Sequence, residues 1–409
     1  MPSNGLIVLA RLKPECQEHL REVLNQIGND VNGKRLAGKP TQPHVDFPGS
    51  RTIHFARLAV LSDPDCGAGR QRLLLVTDYD GDWQAHVLEL FALTSDPEAI
   101  WGCCEGYSGA SSFPDFIRRH TVEPQAYYIA FRGATLDKIH SLVKWQVQST
   151  EPPLEKPTSS LTGAAIHSLV GISRIPLTGL SVLGVISRRG LLNTLLAARR
   201  VNATLDRVGW IRIFNRLTLN SFPPPASRYS SAPVETTALC APESAGDEVV
   251  SNDSWDGVPS EDLVSQNQLT LVTVVRPDRL PQLQAVLEVI DLYAHRLAEQ
   301  GSLVGISTIH TVRWALLDGG KRLLLASNYD GTWENYIDEF AELILSGLDA
   351  IWESSYGFPE LGAQDVAAFK HFLRCHQVPA NVFYSAYPRA TVPNILKGLQ
   401  MEHDWTSEL

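Results

Sequence analysis

The chain has 409 residues, 44% of them hydrophobic, enough to bury one or more large cores. Its 35 Lys and Arg against 45 Asp and Glu give a formal charge of -10, which argues against a broad basic surface and so against nucleic acid as a partner. Cys16, Cys66, Cys103, Cys104, Cys240 and Cys375 form no CxxC pair and no repeated Cys/His spacing, so neither a zinc site nor a disulfide framework is indicated and reduced thiols are expected.

The opening segment, MPSNGLIVLARLKPE, lacks a basic region ahead of a long apolar run, so a cytoplasmic location is expected. Within it NGLIVLARLKP (4–14) reads as a strand ending in a basic residue and proline. After an amphipathic segment comes TIHFARL (52–58), then a turn near Ser62 to Arg70, then the strand LLLVTDYDGDW (73–83). AIWGCCEGY, the helix FPDFIRRH (113–120) and the strand AYYIAF complete the unit.

Two unlike stretches follow. Residues 174–216 hold eight arginines and one acid, a net of +7, mixed with Leu, Ile and Trp. The longest apolar run there is too short to span a bilayer, which leaves an interfacial helix on an anionic membrane or an inserted helical hairpin docked on protein. Residues 221–262 carry eight acids against Arg228, a net of -7, with Pro and Ser in a pattern expected of a disordered linker.

The first unit then returns: NQLTLVTVVRP (267–277), LPQLQAVLEVIDLYAHRL, TIHTVRW (308–314), LLLASNYDGTW (323–333), AIWESSYGF, FKHFLRCH (369–376) and VFYSAY. Order and spacing hold over about 140 residues, apart from small loop insertions, the mark of a tandem duplication. Each copy reads β-α-β-β-α-β. The expected fold is α+β: two ferredoxin-like units packed as an intramolecular α+β barrel or sandwich, with a helical insertion. The division is 1–145 and 263–409 for the repeats, 146–220 for the insertion and 221–262 for the linker.

If the second hairpin pairs Leu317 with Lys321, His310 lies opposite Asn328 and, by alignment, His54 opposite Asp78. Alternation then puts Arg57 and Arg313 on the face opposite the histidines, with Tyr79 and Tyr329 on the arginines' side and Asp80 and Asp330 next in sequence. Each arginine is either an anion-binding, substrate-orienting group or a structural brace. Asp82 and Thr332 are expected helix N-caps. His120 and His376 fall on the apolar face of their helices, as packed histidines or, for His376, as a ligand to haem iron.

TIHFAR and NYDGTWENYIDEF resemble an uncharacterised bacterial family with duplicated TIH and NYDG segments. At fold level the paired units resemble the dimeric α+β barrel superfamily, which includes dye-decolourising peroxidases, chlorite dismutases and small cofactor-free monooxygenases. That resemblance implies a peroxidase-like or monooxygenase-like oxidoreductase acting on a small organic molecule in the barrel. Arg57 or Arg313 would polarise a bound oxygen species, and Asp80, Asp330, His54 and His310 would shuttle protons. Haem is the candidate cofactor, with His376, Tyr79 and Tyr329 around it. The peroxidases' GxxDG motif is departed from, since Thr77 and Ser327 stand where its first glycine falls. The alternative expectation is a non-catalytic ligand-binding protein held peripherally at the inner face of the membrane by residues 174–216. An interaction scaffold is a third.

Overall fold

A computed structural model describes residues 3–32, 43–63, 69–148 and 265–407. The first copy comprises β1 (Ser3–Arg11), α1 (Gln17–Val31), β2 (Ile53–Ser62), β3 (Gln71–Asp80), α2 (Trp83–Leu93), α3 (Pro97–Ile100), α4 (Phe113–His120), β4 (Ala126–Ile129) and α5 (Leu136–Gln148). The second comprises β5 (Gln266–Val274), α6 (Leu280–Arg296), β6 (Ile309–Leu317), β7 (Arg322–Asp330), α7 (Trp333–Leu343), α8 (Leu345–Trp352), α9 (Val366–His376), β8 (Val382–Ser385) and α10 (Val392–Ser407). The Arg-rich stretch 174–216 and the acidic stretch 221–262 lie outside the described residues. Among the described residues no helix is long and apolar enough to cross a membrane.

The fold is α+β with two four-stranded antiparallel sheets, ordered β1-β3-β2-β8 and β4-β6-β7-β5. Period-two alternation assigns the faces. Leu73 and Leu75 of β3 face the helices, where α1 presents Leu20, Val23, Leu24 and Ile27 at helical spacing. Leu74 and Val76 face the other way and join Ile7, Ala59, Leu61, Ala315, Leu317, Leu324 and Ala326 in a core shared by the two sheets. β3 and β7 are buried along nearly their whole length, which is why LLLV and LLLA run apolar without a break.

The short last strands do not stay with their own copies. β4 of the first copy pairs with β6 of the second, Tyr127 opposite Arg313, and β8 of the second pairs with β2 of the first, Phe383 opposite Arg57. The residues leading into them still touch home, through single bridges Val8–Thr121 and Leu271–Gln377. Neither sheet closes on itself.

At the hairpin ends the sheets are tied by buried charges. Arg72 reaches Asp63 at 2.5 Å and Asp318 at 2.5 Å, and Arg322 reaches Asp318 at 2.5 Å. Burial alone would raise the Asp318 carboxyl, but the two guanidiniums outweigh it and hold it below its ordinary value. Cys16, Cys103 and Cys104 are free, while Cys375 is disulfide-bonded, against the expectation that all six thiols are reduced.

The expected hairpin register is wrong by one residue. Leu317 pairs with Arg322, because the turn spans Asp318 to Lys321 with Gly319 and Gly320 in the left-handed region. The register then shifts again at a bulge between Ile309 and Thr311, and identically between Ile53 and Phe55. Asn328 therefore faces Thr311, and Asp78 faces Phe55.

Candidate functional site

His54 and His310 are the bulged residues. A bulge lets two successive side chains share a face, so each histidine turns toward the space between the sheets, on the same side as the arginine three residues on. The anticipated separation of histidines from arginines does not occur, nor do the His54–Asp78 and His310–Asn328 pairs. His54 Nε2 instead lies 3.0 Å from Asp80 Oδ2, and His310 Nε2 lies 2.8 Å from Asp330 Oδ1. The copies thus share the same histidine–aspartate pair.

Each aspartate also holds a helix. The Leu136 amide donates to Asp80 at 2.7 Å and the Val392 amide donates to Asp330 at 2.6 Å, at the first turns of α5 and α10. A carboxylate satisfies orphan amides there and sits at the positive end of the helix dipole. Burial would raise the Asp80 carboxyl, but His54, the Leu136 amide and the Ser3 hydroxyl together hold it below its ordinary value. The repeated TIH and YDG segments accordingly fasten β2 or β6, the end of β3 or β7, and a helix start. Asp82 and Thr332 cap α2 and α7, accepting from Ala85 at 3.0 Å and Asn335 at 3.3 Å.

The arginines cross between the sheets. Arg57 donates to Gln268, the Leu269 carbonyl at 2.9 Å, Thr270 at 2.9 Å, the Ser327 carbonyl at 2.7 Å and Asn328. Arg313 does the same in mirror fashion, to the Leu6 and Thr77 carbonyls, Asp78 and the Tyr127 hydroxyl, with the Tyr127 ring 4.4 Å beneath it. Asn328 joins the two by donating to Asp78 at 3.0 Å, giving an Arg57–Asn328–Asp78–Arg313 chain across the sheet interface. Two carboxylates at that separation would repel each other, so an amide in one copy and an acid in the other is the arrangement that bonds. With their end nitrogens occupied in this way, both guanidiniums act as braces rather than as groups that polarise bound oxygen.

Beside this chain is a cavity lined by Ser3, His54, Asp78, Tyr127, His310 and Tyr387 on its polar side and by Ile129, Phe131, Ala134 and Ile139 on its apolar side. Its volume is about 20 Å³, room for a water-sized group and not for a macrocycle. Ser3, Tyr127 and Ile129 are partly exposed; His54 and His310 are buried. Tyr387 stands between the histidines, its ring 5.8 Å from that of His54 and 6.0 Å from that of His310. Burial, reinforced by Asp78, Asp80 and Asp330, pushes its hydroxyl well above the ordinary tyrosine value, so it keeps its proton.

The cavity exists because the copies differ. Ser3 aligns with Gln266, whose longer side chain donates to the Tyr387 and Ala390 carbonyls, accepts from Ser385 at 2.5 Å and places its Nε2 3.3 Å from His310 Nε2, beside Asp330. Phe131 aligns with Tyr387. The Tyr387 hydroxyl bonds His54 Nδ1 at 3.1 Å, whereas Phe131 offers nothing to His310, whose Nδ1 is buried without a hydrogen-bond partner. An unpaired nitrogen on a residue only 2% exposed costs on the order of 1–3 kcal/mol.

The structure thus places His54 and His310 in the lining of one cavity, with Asp80 and Asp330 against them and Arg57 and Arg313 in the frame. Tyr79 and Tyr329 stack instead on His86 at 3.6 Å and on Tyr336 at 3.8 Å, on the helix-covered face opposite the arginines, though Tyr79 still borders the cavity. His376 is not among the lining residues; its Nδ1 donates to the Phe372 carbonyl at 2.7 Å and its ring packs 4.5 Å from Phe372. The residues do not fit haem: the candidate ligand faces its own helix and the cavity is too small. Tyr387, Tyr127, Asp78, Ser3 and Gln266 were not singled out as site residues from the sequence. Their signal was present in the positions where the aligned copies disagree. Compared with protein-family models, curated proteins and solved structures, the chain finds no match.

Proposed function

We propose that the protein is an enzyme performing acid–base chemistry on a small molecule held between the sheets, with His310 as the base. The unpaired His310 Nδ1 carries this reading. Asp330 beside Nε2 favours the tautomer with its proton there, leaving a lone pair on Nδ1, and stabilises the imidazolium formed when that lone pair takes a proton. In the other copy His54 Nδ1 meets the Tyr387 hydroxyl at 3.1 Å, and its Nε2 lies 3.0 Å from Asp80 without hydrogen-bond geometry, so the nitrogen left bare differs between the copies. The two sheets, joined at Val8–Thr121 and Leu271–Gln377, act in this proposal as halves of one ferredoxin-like barrel around the site. Arg57 and Arg313, the guanidiniums that frame the site among the described residues, are engaged by the frame rather than offered to a bound oxygen species.

The test is a nuclear magnetic resonance titration of ¹⁵N-histidine-labelled protein with a set of compounds of a few heavy atoms. Binders should move the His310 Nδ1 resonance, and Ser3→Gln, which copies Gln266, should abolish the effect while leaving the fold intact. Binders that leave Nδ1 unmoved, or that bind Ser3→Gln equally well, would overturn the proposal.

A further inference from the structure

The second histidine–aspartate pair has a different task. Where His310 meets the cavity with a bare nitrogen, His54 meets it through the Tyr387 hydroxyl, 3.1 Å from its Nδ1, with Asp80 behind it 3.0 Å from Nε2. The duplication has thereby produced, from one repeated motif, a proton acceptor and a proton donor at one cavity. Asp80–His54–Tyr387 is a line of three groups ending in a tyrosine that lines the same cavity as His310, the two rings 6.0 Å apart. The tyrosine is not part of the fastening: the other copy keeps its histidine–aspartate pair and its helix while Phe131 fills the tyrosine's place.

We infer that the site takes a small carbonyl compound bearing a hydrogen on the neighbouring carbon, and that Asp80–His54–Tyr387 delivers a proton to its oxygen while His310 removes the carbon-bound one. The inference rests on the proposed role of His310. In the step, the C–H bond breaks and its proton goes to His310 Nδ1. The electron pair becomes the new C=C bond, and the carbonyl π pair moves to oxygen, which takes the Tyr387 proton. Tyr387 regains a proton from His54 Nδ1, whose imidazolium becomes neutral. The product is the enol, and its return with the proton placed on a different atom is an isomerisation. No oxidant or reductant enters.

The polarity of the lining agrees with this chemistry. Ile129, Phe131, Ala134 and Ile139 line the cavity beside the polar side chains, a mixed lining suited to a molecule with both carbon and oxygen atoms. Asp78 contributes no lone proton or loose charge, being engaged by Arg313, Tyr127, Thr311 and Asn328. It fixes Tyr127 and the β6 strand that carries His310.

The experiment is solvent-deuterium exchange followed by proton NMR, with pyruvate, glycolaldehyde and dihydroxyacetone as probes and the full chain in D₂O. The wild type should wash deuterium into the carbon next to the carbonyl of at least one probe. Tyr387→Phe, which copies Phe131, should slow exchange by roughly 10²- to 10⁴-fold at saturating probe. His310→Gln should do likewise, and Ser3→Gln should stop exchange by filling the cavity. Full exchange in Tyr387→Phe with loss in His310→Gln would overturn the relay and leave the base standing. Full exchange in His310→Gln would remove the base and with it this inference. No exchange of any probe by the folded wild type would overturn the substrate class.

Discussion

His86 provides the sharpest test of how burial is balanced here. Its ring is 1% exposed, stacks 3.6 Å from Tyr79 and shares a 2.8 Å hydrogen bond with the Thr77 hydroxyl. Burial brings it down from 6.5 to about 3. A histidine whose folded value is depressed contributes its stability in full above the unfolded value and loses it as pH falls, here between about 6.5 and 3. Linkage over that interval gives a loss of about 2 kcal/mol between pH 7 and pH 5, and about 5 kcal/mol once both values are passed.

The second copy shows how to remove this sensitivity, because Tyr336 stacks on Tyr329 in the same place and bonds Ser327 at 2.6 Å. Grafting that pair as Thr77→Ser with His86→Tyr should flatten the acid limb by the stated amount, read from urea midpoints at pH 7, 6 and 5. Burial also lowers His376, which is common to both proteins, so the difference between them isolates His86. Parallel stability curves over that range would refute the argument. So would a His86 ring resonance that titrates near pH 6.

Three further outcomes follow from the inter-sheet frame. Asp78→Asn leaves the buried Arg313 without its counter-charge and should cost about 3–5 kcal/mol by denaturant unfolding, while adding Asn328→Asp moves the carboxylate to the Arg57 side and should recover part of the loss. Gly5→Ala places a methyl 2.7 Å from Arg313 Nη1, which its carbonyl partners hold still; a cost of about 1–3 kcal/mol is expected in the same assay, against almost none for Ala at an exposed strand position. Gln266→Ala withdraws the side chain that bonds Tyr387, Ala390 and Ser385, and should lower the thermal midpoint by an amount matching about 1–3 kcal/mol.

The repeat and the α+β class were legible because period and order survive divergence: TIH, DG and FxxF recur in the same order in both copies, 256, 250 and 256 residues apart. The pairing of His310 with Asp330 was not, since it depends on two backbone details, a four-residue turn and a bulge, that leave no period in the side chains. The exchange of β4 and β8 was hidden for another reason. AYYI and VFYS carry the same alternation whichever sheet receives them. The cavity was readable only in the disagreements, Ser3 against Gln266 and Phe131 against Tyr387, which an argument built on shared residues passes over.

Strand exchange has a consequence for ancestry. A single copy that lends its last strand needs a second copy to lend one back, so the unduplicated precursor would have been an obligate two-fold dimer. Such a dimer must repeat every residue. An acid at position 78 would have met its own twin across the axis, and any serine that opened one cavity would have opened both. Joining the halves in one chain released those positions from each other. Asp78 could then face Asn328, Gln266 could close one side while Ser3 left the other open, and a pair of identical histidines could take opposite parts.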